Sequence, residues 1–286
     1  MKIFVLGVGA QKSGTTWLHS QLMKNASIDM GFAKEYHTFD AVFSEHCSYF
    51  RTDLVNTISN KEKDGSLGGN RANCSEPIKR LSFIDNTDNY FDYFDELHSK
   101  SSNTKAVGDI TPSYSMLTCE AYQHIKQGLE LRGFDVKVVF LMREPVERVW
   151  SMLRMGRRNA SRKGKVFSNS ETEALRRDYR SPHQELRTRY DRTIVELEKS
   201  FAAENIFYDF YEQLFTESTY KALQTFLGID LKPADFDFHS NVSAVTEPID
   251  VSLRSEITNY YSKVYDFVSK KTNGKSEELW SGYQYL

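Results

Sequence analysis

The chain has 286 residues and a formal net charge of −2, with 27% of its residues charged and 40% hydrophobic. That near-neutral balance excludes a global attraction to nucleic acid or to anionic membranes, so any anionic ligand must be held by local basic groups. The apolar runs, of which 3–10 and 136–142 are examples, fall far short of the ~20 residues a membrane span needs.

No basic, apolar leader precedes a cleavage site, and the reading is of a cytoplasmic protein. Cys47, Cys74 and Cys119 are odd in number and lack metal-ligand spacing, so free thiols in a reducing compartment are expected, with no metal. The Asn-x-Ser triplets at Asn159 and Asn241 matter only in a secreted chain and carry no weight here. At this length one α/β domain buries roughly 75% of its unfolded surface, and 19 Phe and 16 Tyr suit such a core.

In chain order, an apolar strand over 3–8 runs into a glycine-punctuated turn, followed by a helix over 14–24 in which Trp17, Leu18, Gln21 and Leu22 recur at helical spacing. Residues 51–105 are polar, with a Gly68-Gly69-Asn70 break and the aromatic cluster Tyr90, Phe91, Tyr93 and Phe94. They read as a loop-rich insertion with one short helix, rimming the site. A second strand ends near Asp109, and Thr111-Pro112-Ser113 breaks the chain before a helix over 115–128. A third strand over 136–142 ends at Arg143, and Pro145 opens a helix through Val149, Trp150 and Leu153.

Helices over 182–202 and 217–227 flank a short strand over 205–208. A final helix over 251–271 carries an apolar stripe of Val251, Ile257, Tyr260, Tyr261, Val264 and Phe267, expected to be core. No repeat and no long linker divides the chain, so a single domain over 1–286 is expected. The alternation predicts a doubly wound, mainly parallel sheet with helices on both faces and ligands at the carboxyl ends of the strands.

The turn after the first strand, Gly7-Val8-Gly9-Ala10-Gln11-Lys12-Ser13-Gly14-Thr15-Thr16, is a phosphate cradle: backbone N–H groups and a helix start converge on one anionic group. In the nucleotide triphosphatase pattern the lysine follows the last glycine; here Lys12 precedes Gly14 by two positions. A triphosphatase would also end its third strand on a magnesium-holding Asp, where this chain has Arg143. Both differences argue against an ATPase or a P-loop nucleotide kinase, which, with a catalytically silent nucleotide-binding module, is the alternative reading.

Lys12-Ser13-Gly14-Thr15-Thr16 resembles the 5′-phosphosulfate loop of sulfotransferases that use 3′-phosphoadenosine 5′-phosphosulfate (PAPS). The stretch 138–151 is similar to the 3′-phosphate signature of the same family, with Arg143 and Ser151 eight positions apart. Lys34-Glu35-Tyr36-His37-Thr38-Phe39-Asp40 resembles the Lys-Glu-x-His-x-Phe-Asp stretch of heparan-sulfate-type and related bacterial members. Three matches in order over the first 151 residues identify the chain as a member of the PAPS-dependent sulfotransferases.

The resemblance implies a P-loop-like fold and sulfuryl transfer from PAPS to an acceptor hydroxyl of a small molecule or saccharide, with 3′-phosphoadenosine 5′-phosphate (PAP) as product and no metal. It places the donor on Lys12, Ser13, Gly14, Thr15, Thr16, Arg143 and Ser151, and makes Glu35 the general base. Chemically, a forked guanidinium and a hydroxyl suit a phosphate dianion, and a carboxylate within hydrogen-bond reach lets a weak hydroxyl nucleophile lose its proton. Lys12 suits the charge that gathers on the leaving phosphate during in-line displacement.

His37 is either a second candidate base or the group that orients Glu35, and Asp40 holds a neighbouring group. Asp109-Ile110-Thr111-Pro112-Ser113-Tyr114 resembles the family's acceptor-cleft element Glu-Lys-[Ser/Thr]-Pro-x-Tyr, which implies that Asp40, Asp109, Ser113 and Tyr114 serve the acceptor. Ile110 replaces a lysine that assists polysaccharide-sulfating members. By position the loop at His239-Ser240-Asn241-Val242-Ser243 resembles the family's segment closing over the nucleotide, but it lacks the basic cluster and disulfide of the animal enzymes, and no residue role is carried over to it. Arg148 is either an alternative phosphate ligand or a solvated helix residue. The basic run from Arg154 through Arg157, Arg158, Arg162, Lys163 and Lys165 is either a cavity flank or a solvated loop.

Overall fold

A computed structural model of the chain describes residues 2–63, 71–165, 170–238 and 248–286. Five parallel strands form one sheet in the order β2-β3-β1-β4-β5: β1 Lys2–Gly9, β2 Ile28–Asp29, β3 Ala106–Ile110, β4 Phe134–Met142 and β5 Ile206–Phe210. The central strands read as unbroken apolar runs because helices cover both of their faces, as a parallel sheet requires. Alternation along β1 splits the core accordingly. Phe4, Leu6 and Val8 join one cluster with Tyr90, Phe94, Tyr190 and Tyr265. Ile3 and Val5 join the other with Trp17, Leu22, Tyr220 and Leu223.

Register sets where the loops emerge. Gly7 stands opposite both Ile110 and Val139, and the pairing with β4 slips between Gly7 and Gly9, so β1 leaves the sheet one residue out of step. The turns after β1, β3, β4 and β5 therefore leave from one edge of the sheet.

The strand and helix expectations hold at β1, β3, β4, β5, Thr15–Met23, Pro145–Arg162 and Glu217–Leu227. The expected helix over 115–128 begins later: Pro112–Met116 is a 3-10 turn and the helix is Cys119–Glu130. Trp17 is core, as expected, and its Nε1–H donates to Asp235 O at 2.8 Å.

Other elements differ from expectation. The stretch expected to be loop-rich is helical over most of its described residues, in Tyr49–Lys63, Arg71–Asp85 and Asp88–Ser99. Its polar composition reflects exposure rather than irregular backbone, since the Tyr49–Lys63 helix buries only Leu54. The Gly68-Gly69-Asn70 break lies outside the described residues. The expected 182–202 helix breaks at Arg189, whose ψ of 67° leaves the helical region, giving Pro182–Thr188 and Tyr190–Glu198. The last helix divides at Tyr261 into Val251–Tyr260 and Ser262–Lys271. Its buried stripe follows Leu253, Ile257, Tyr261, Val264 and Val268, so Val251 and Tyr260 lie off it and are 64% and 39% exposed.

The end of β3 is locked by a buried carboxylate. Asp109 Oδ2 accepts from the hydroxyls of Tyr90 (3.0 Å) and Tyr114 (2.8 Å), and Oδ1 accepts from Thr111 at 2.6 Å. Burial pushes the Asp109 carboxyl up to about 6 despite these three donors. Tyr114→Phe removes one of them and leaves a buried acceptor short, so it should lower stability by about 1–3 kcal/mol in denaturant titration. A change within error would show that the lock contributes nothing.

Candidate active site

The turn after β1 is held by backbone. Ala10 N–H donates to Leu141 O at 2.6 Å and Ser13 N–H to Ala10 O at 3.2 Å, while Lys12 sits in the left-handed region at φ 72°. Gly14 is also left-handed, at φ 84°, and a Cβ there would lie 2.3 Å from Leu214 Cδ2, so only glycine fits. The helix Thr15–Met23 starts at this point with no side-chain cap, leaving its first N–H groups without intrahelical partners. Ser13 Oγ and Gln11 Oε1 are buried with no partner among the described residues. Unpaired donors, an orphaned hydroxyl and a helix N-terminus at one turn suit a bound anion.

Beside the turn, Arg143 follows β4, donates from Nη1 to Lys12 O at 3.1 Å and lies 4.2 Å from the Tyr211 ring centre. The next residue caps the helix Pro145–Arg162, with Glu144 accepting from Glu147 N–H at 2.7 Å. That helix presents Ser151, Arg154 and Met155 to the same cavity. Lys12 Nζ approaches Met155 Sδ at 3.6 Å. Burial, then the positive charges of Arg158, Arg143, Arg154 and Lys34, push the Lys12 ammonium down to about 8.

On another wall, Lys34 donates to Glu35, and His37 lies between two carboxylates, with Nε2 3.3 Å from Glu35 Oε2 and Nδ1 2.7 Å from Asp40 Oδ2. Ser113 Oγ reaches His37 Nδ1 at 3.2 Å and donates to Asp40. The Phe50 ring stacks on the imidazole at 3.7 Å. Burial opposes charge at Glu35, but the His37 hydrogen bond and Lys34 hold its carboxyl down to about 2. Burial likewise opposes a charged His37, and Asp40 and Glu35 overcome it, raising the imidazole to about 9. At neutral pH Glu35 is therefore a carboxylate and His37 an imidazolium, with Asp40 against the second ring nitrogen.

One cavity of about 630 Å³ joins these walls, lined among the described residues by Lys12, Thr15, Thr16, Glu35, His37, Ser113, Arg143 and Ser151. Residues 3–233 match the sequence profile of the Sulfotransferase family. The chain belongs to that family. Its chemistry is sulfuryl transfer, and the chain is a transferase. A sulfotransferase from Alicyclobacillus acidocaldarius is similar in structure, with a TM-score of 0.57 at 17% identity over 93% of this chain and 94% of that one. The sulfotransferase domain of the Synechococcus PCC 7002 olefin synthase gives 0.47 at 17% identity over 88% and 86%. The first likeness establishes the fold. No curated protein sequence matches significantly.

In this sulfotransferase the expected site residues fall into two groups. Lys12, Gly14, Thr15, Thr16, Glu35, His37, Ser113, Arg143 and Ser151 share the cavity. Ser13 is fully buried within the turn, and Asp40 lies beneath His37. Asp109 and Tyr114, expected to serve the acceptor, do not line the cavity: both are fully buried and bonded to each other. Arg148 is neither a phosphate ligand nor solvated; it is fully buried and donates to Gln184 Oε1 at 2.6 Å. The basic run lies on the helix through Arg162, and Arg154 lines the cavity with its guanidinium 4.3 Å from the Trp150 ring centre.

The 239–243 loop lies outside the described residues. Gln11, His183, Arg187 and Tyr211 line the cavity without having been expected there. Gln11 had a signal, its place in the glycine turn; the other three carry no motif. Among the described residues no helix is long and apolar enough to cross a membrane.

His37 gives the site a testable electrostatic signature. With its folded value raised to about 9, its contribution to stability is complete below the ordinary ~6.5 and is lost as pH rises through 9. The difference in melting temperature between wild type and His37→Asn should therefore be large at neutral pH and shrink towards pH ~10. A pH-independent difference, measured by scanning calorimetry, would rule out an imidazolium between Glu35 and Asp40.

Proposed function

We propose that the protein transfers a sulfuryl group from PAPS to an acceptor hydroxyl, with Glu35 as general base. The co-lining of one cavity by the Lys12 turn, Arg143 with Ser151, and Glu35 is the observation that carries this reading. The donor fits on structural grounds: Ser13 Oγ is orphaned in the turn, helix N–H groups face it, and a second cation stands at Arg143. The turn 11–16 would hold the 5′-phosphosulfate, and Arg143 and Ser151 the 3′-phosphate. When bound, PAPS supplies an activated sulfuryl group whose leaving end is the phosphate of PAP.

Lys12 then offsets the negative charge that builds at that leaving oxygen, assisted by the N–H groups and hydroxyls of Thr15 and Thr16. Glu35 is ionised across the physiological range and accepts the acceptor's proton as that oxygen becomes bonded and acidic. His37, protonated at neutral pH, is not the base; it positions the Glu35 carboxylate and is itself oriented by Asp40 and Ser113. No assigned step calls for a metal. The acceptor is a small molecule or saccharide bearing a hydroxyl.

Lys12→Ala and Glu35→Ala should each lower turnover with PAPS at least ~100-fold, with Glu35→Ala leaving PAP affinity nearly unchanged. Full turnover in Glu35→Ala would reject it as base. Arg143→Ala should weaken PAP binding far more than binding of adenosine 5′-monophosphate, read by calorimetry; equal losses would remove Arg143 from the 3′-phosphate.

The pH profile tests Lys12 separately. Its charge is lost as pH rises through about 8 in the ligand-free protein, so kcat/KM should decline above that pH. A bound dianion favours the ammonium, so the decline in kcat should lie at higher pH than the decline in kcat/KM. Coincident limbs would argue that Lys12 does not face the donor.

A further inference from the structure

We infer that the acceptor carries an oxyanion, a carboxylate or a phosphate or sulfate ester, which binds Arg187 in the cavity. This rests on the sulfotransferase reading above and names the acceptor's chemical class.

Arg187 lies on the helix Pro182–Thr188, lines the cavity and is only 2% exposed. Its guanidinium has weak local company. Nη1 donates to His183 O at 2.9 Å, Nη2 approaches Cys47 Sγ at 3.9 Å, and Nε has no partner among the described residues. Among the described residues it forms no ion pair with a carboxylate. A buried guanidinium without a counter-ion is costly; Arg148 is one too, but it is enclosed and bonded to Gln184, whereas Arg187 lines the cavity, where a ligand can supply the missing charge.

The neighbours do not supply it. Burial and Asp40 raise the Cys47 thiol to about 11, so it stays neutral, and burial with Arg187 and Arg148 lowers the His183 imidazole to about 4, so it is neutral too. Asp40 is already shared by His37 and Ser113. Among the described residues of the lining, Lys12, Lys34, Arg143, Arg154 and Arg187 face a single carboxylate, Glu35, which Lys34 already pairs.

Position separates Arg187 from the donor's needs. The two anionic ends of the donor have their own groups in the Lys12 turn and at Arg143 with Ser151. Arg187 instead touches Cys47, which leads directly into Tyr49 and Phe50, and the Phe50 ring stacks on His37 beside Glu35. An anion at Arg187 thus belongs to the molecule that brings its hydroxyl to Glu35, and Tyr49 and Phe50 give its apolar body an aromatic wall.

The test uses full-length protein with PAP saturating the donor groups, and two probes of one shape: 4-(hydroxymethyl)benzoate and its neutral counterpart 1,4-benzenedimethanol. Calorimetry should show the carboxylate binding at least about tenfold more tightly than the diol, as one charge-assisted contact provides. In Arg187→Met the two should bind alike, while Arg187→Lys keeps part of the preference; PAP affinity reports that each variant is folded. A carboxylate that binds no better than the diol to wild type overturns the inference, whether or not the variants fold. A preference surviving Arg187→Met also overturns it, by placing the anion beside Lys12. Failure of wild type to bind PAP at all would instead overturn the donor reading.

Discussion

Lys12, Arg143 and Arg154 stand near enough that the two arginines disfavour charge on the lysine, which burial already lowers to about 8. The folded chain gathers this charge because the parallel sheet brings the turns after β1 and β4 to one edge, and the helix Pro145–Arg162 adds Arg154. Among the described residues the cavity they line holds one carboxylate, Glu35, which Lys34 already pairs. Such an arrangement is unfavourable without a ligand and favourable with one, since each anionic end that enters restores the lysine's charge and removes repulsion among its neighbours. On the proposed reading affinity and catalysis share a cause: the lysine that would hold the donor is the group whose charge would matter most as the leaving phosphate departs.

The opposite electrostatic condition holds at Glu35. A carboxylate half inside a cavity would tend to take up a proton, and a protonated Glu35 could not accept another. His37 prevents this by sitting between Glu35 and Asp40, and its own charge is secured by Asp40 and Glu35 against the opposing effect of burial. The Glu35 carboxylate is therefore kept ionised through the His37 imidazolium, which the deeper Asp40 side chain holds in place. His37 also has a positive φ of 53°, a conformation that non-glycine residues hold only when their surroundings fix them.

What was legible in the sequence was local. The apolar run of β1, the glycine at 14, the arginine ending β4 and the proline opening the next helix each declare themselves through adjacent residues, and the cavity forms where those signals lie. The misreadings involve burial, which neighbours in sequence do not set. The segment after Tyr49 looked irregular because a surface helix exposes most of its polar residues. Asp109 looked like a cleft residue, but three hydroxyls from Tyr90, Thr111 and Tyr114 close over it. Arg187 and His183 lie on a short helix with no recognisable pattern, and reach the cavity because that helix packs against the Pro112–Met116 turn and Pro145–Arg162.

That packing rests on another buried cation. Arg148 points away from the cavity, is fully enclosed, and binds both the side chain and the backbone carbonyl of Gln184. It sits on the helix that carries Ser151, Arg154 and Met155, and Gln184 is three residues from Arg187 on the other helix. One guanidinium therefore joins the helix that carries Ser151 and Arg154 to the helix that carries Arg187. In-line transfer tolerates little error in the separation of its two reactants, and a joint made of directional hydrogen bonds fixes that separation more sharply than apolar contact.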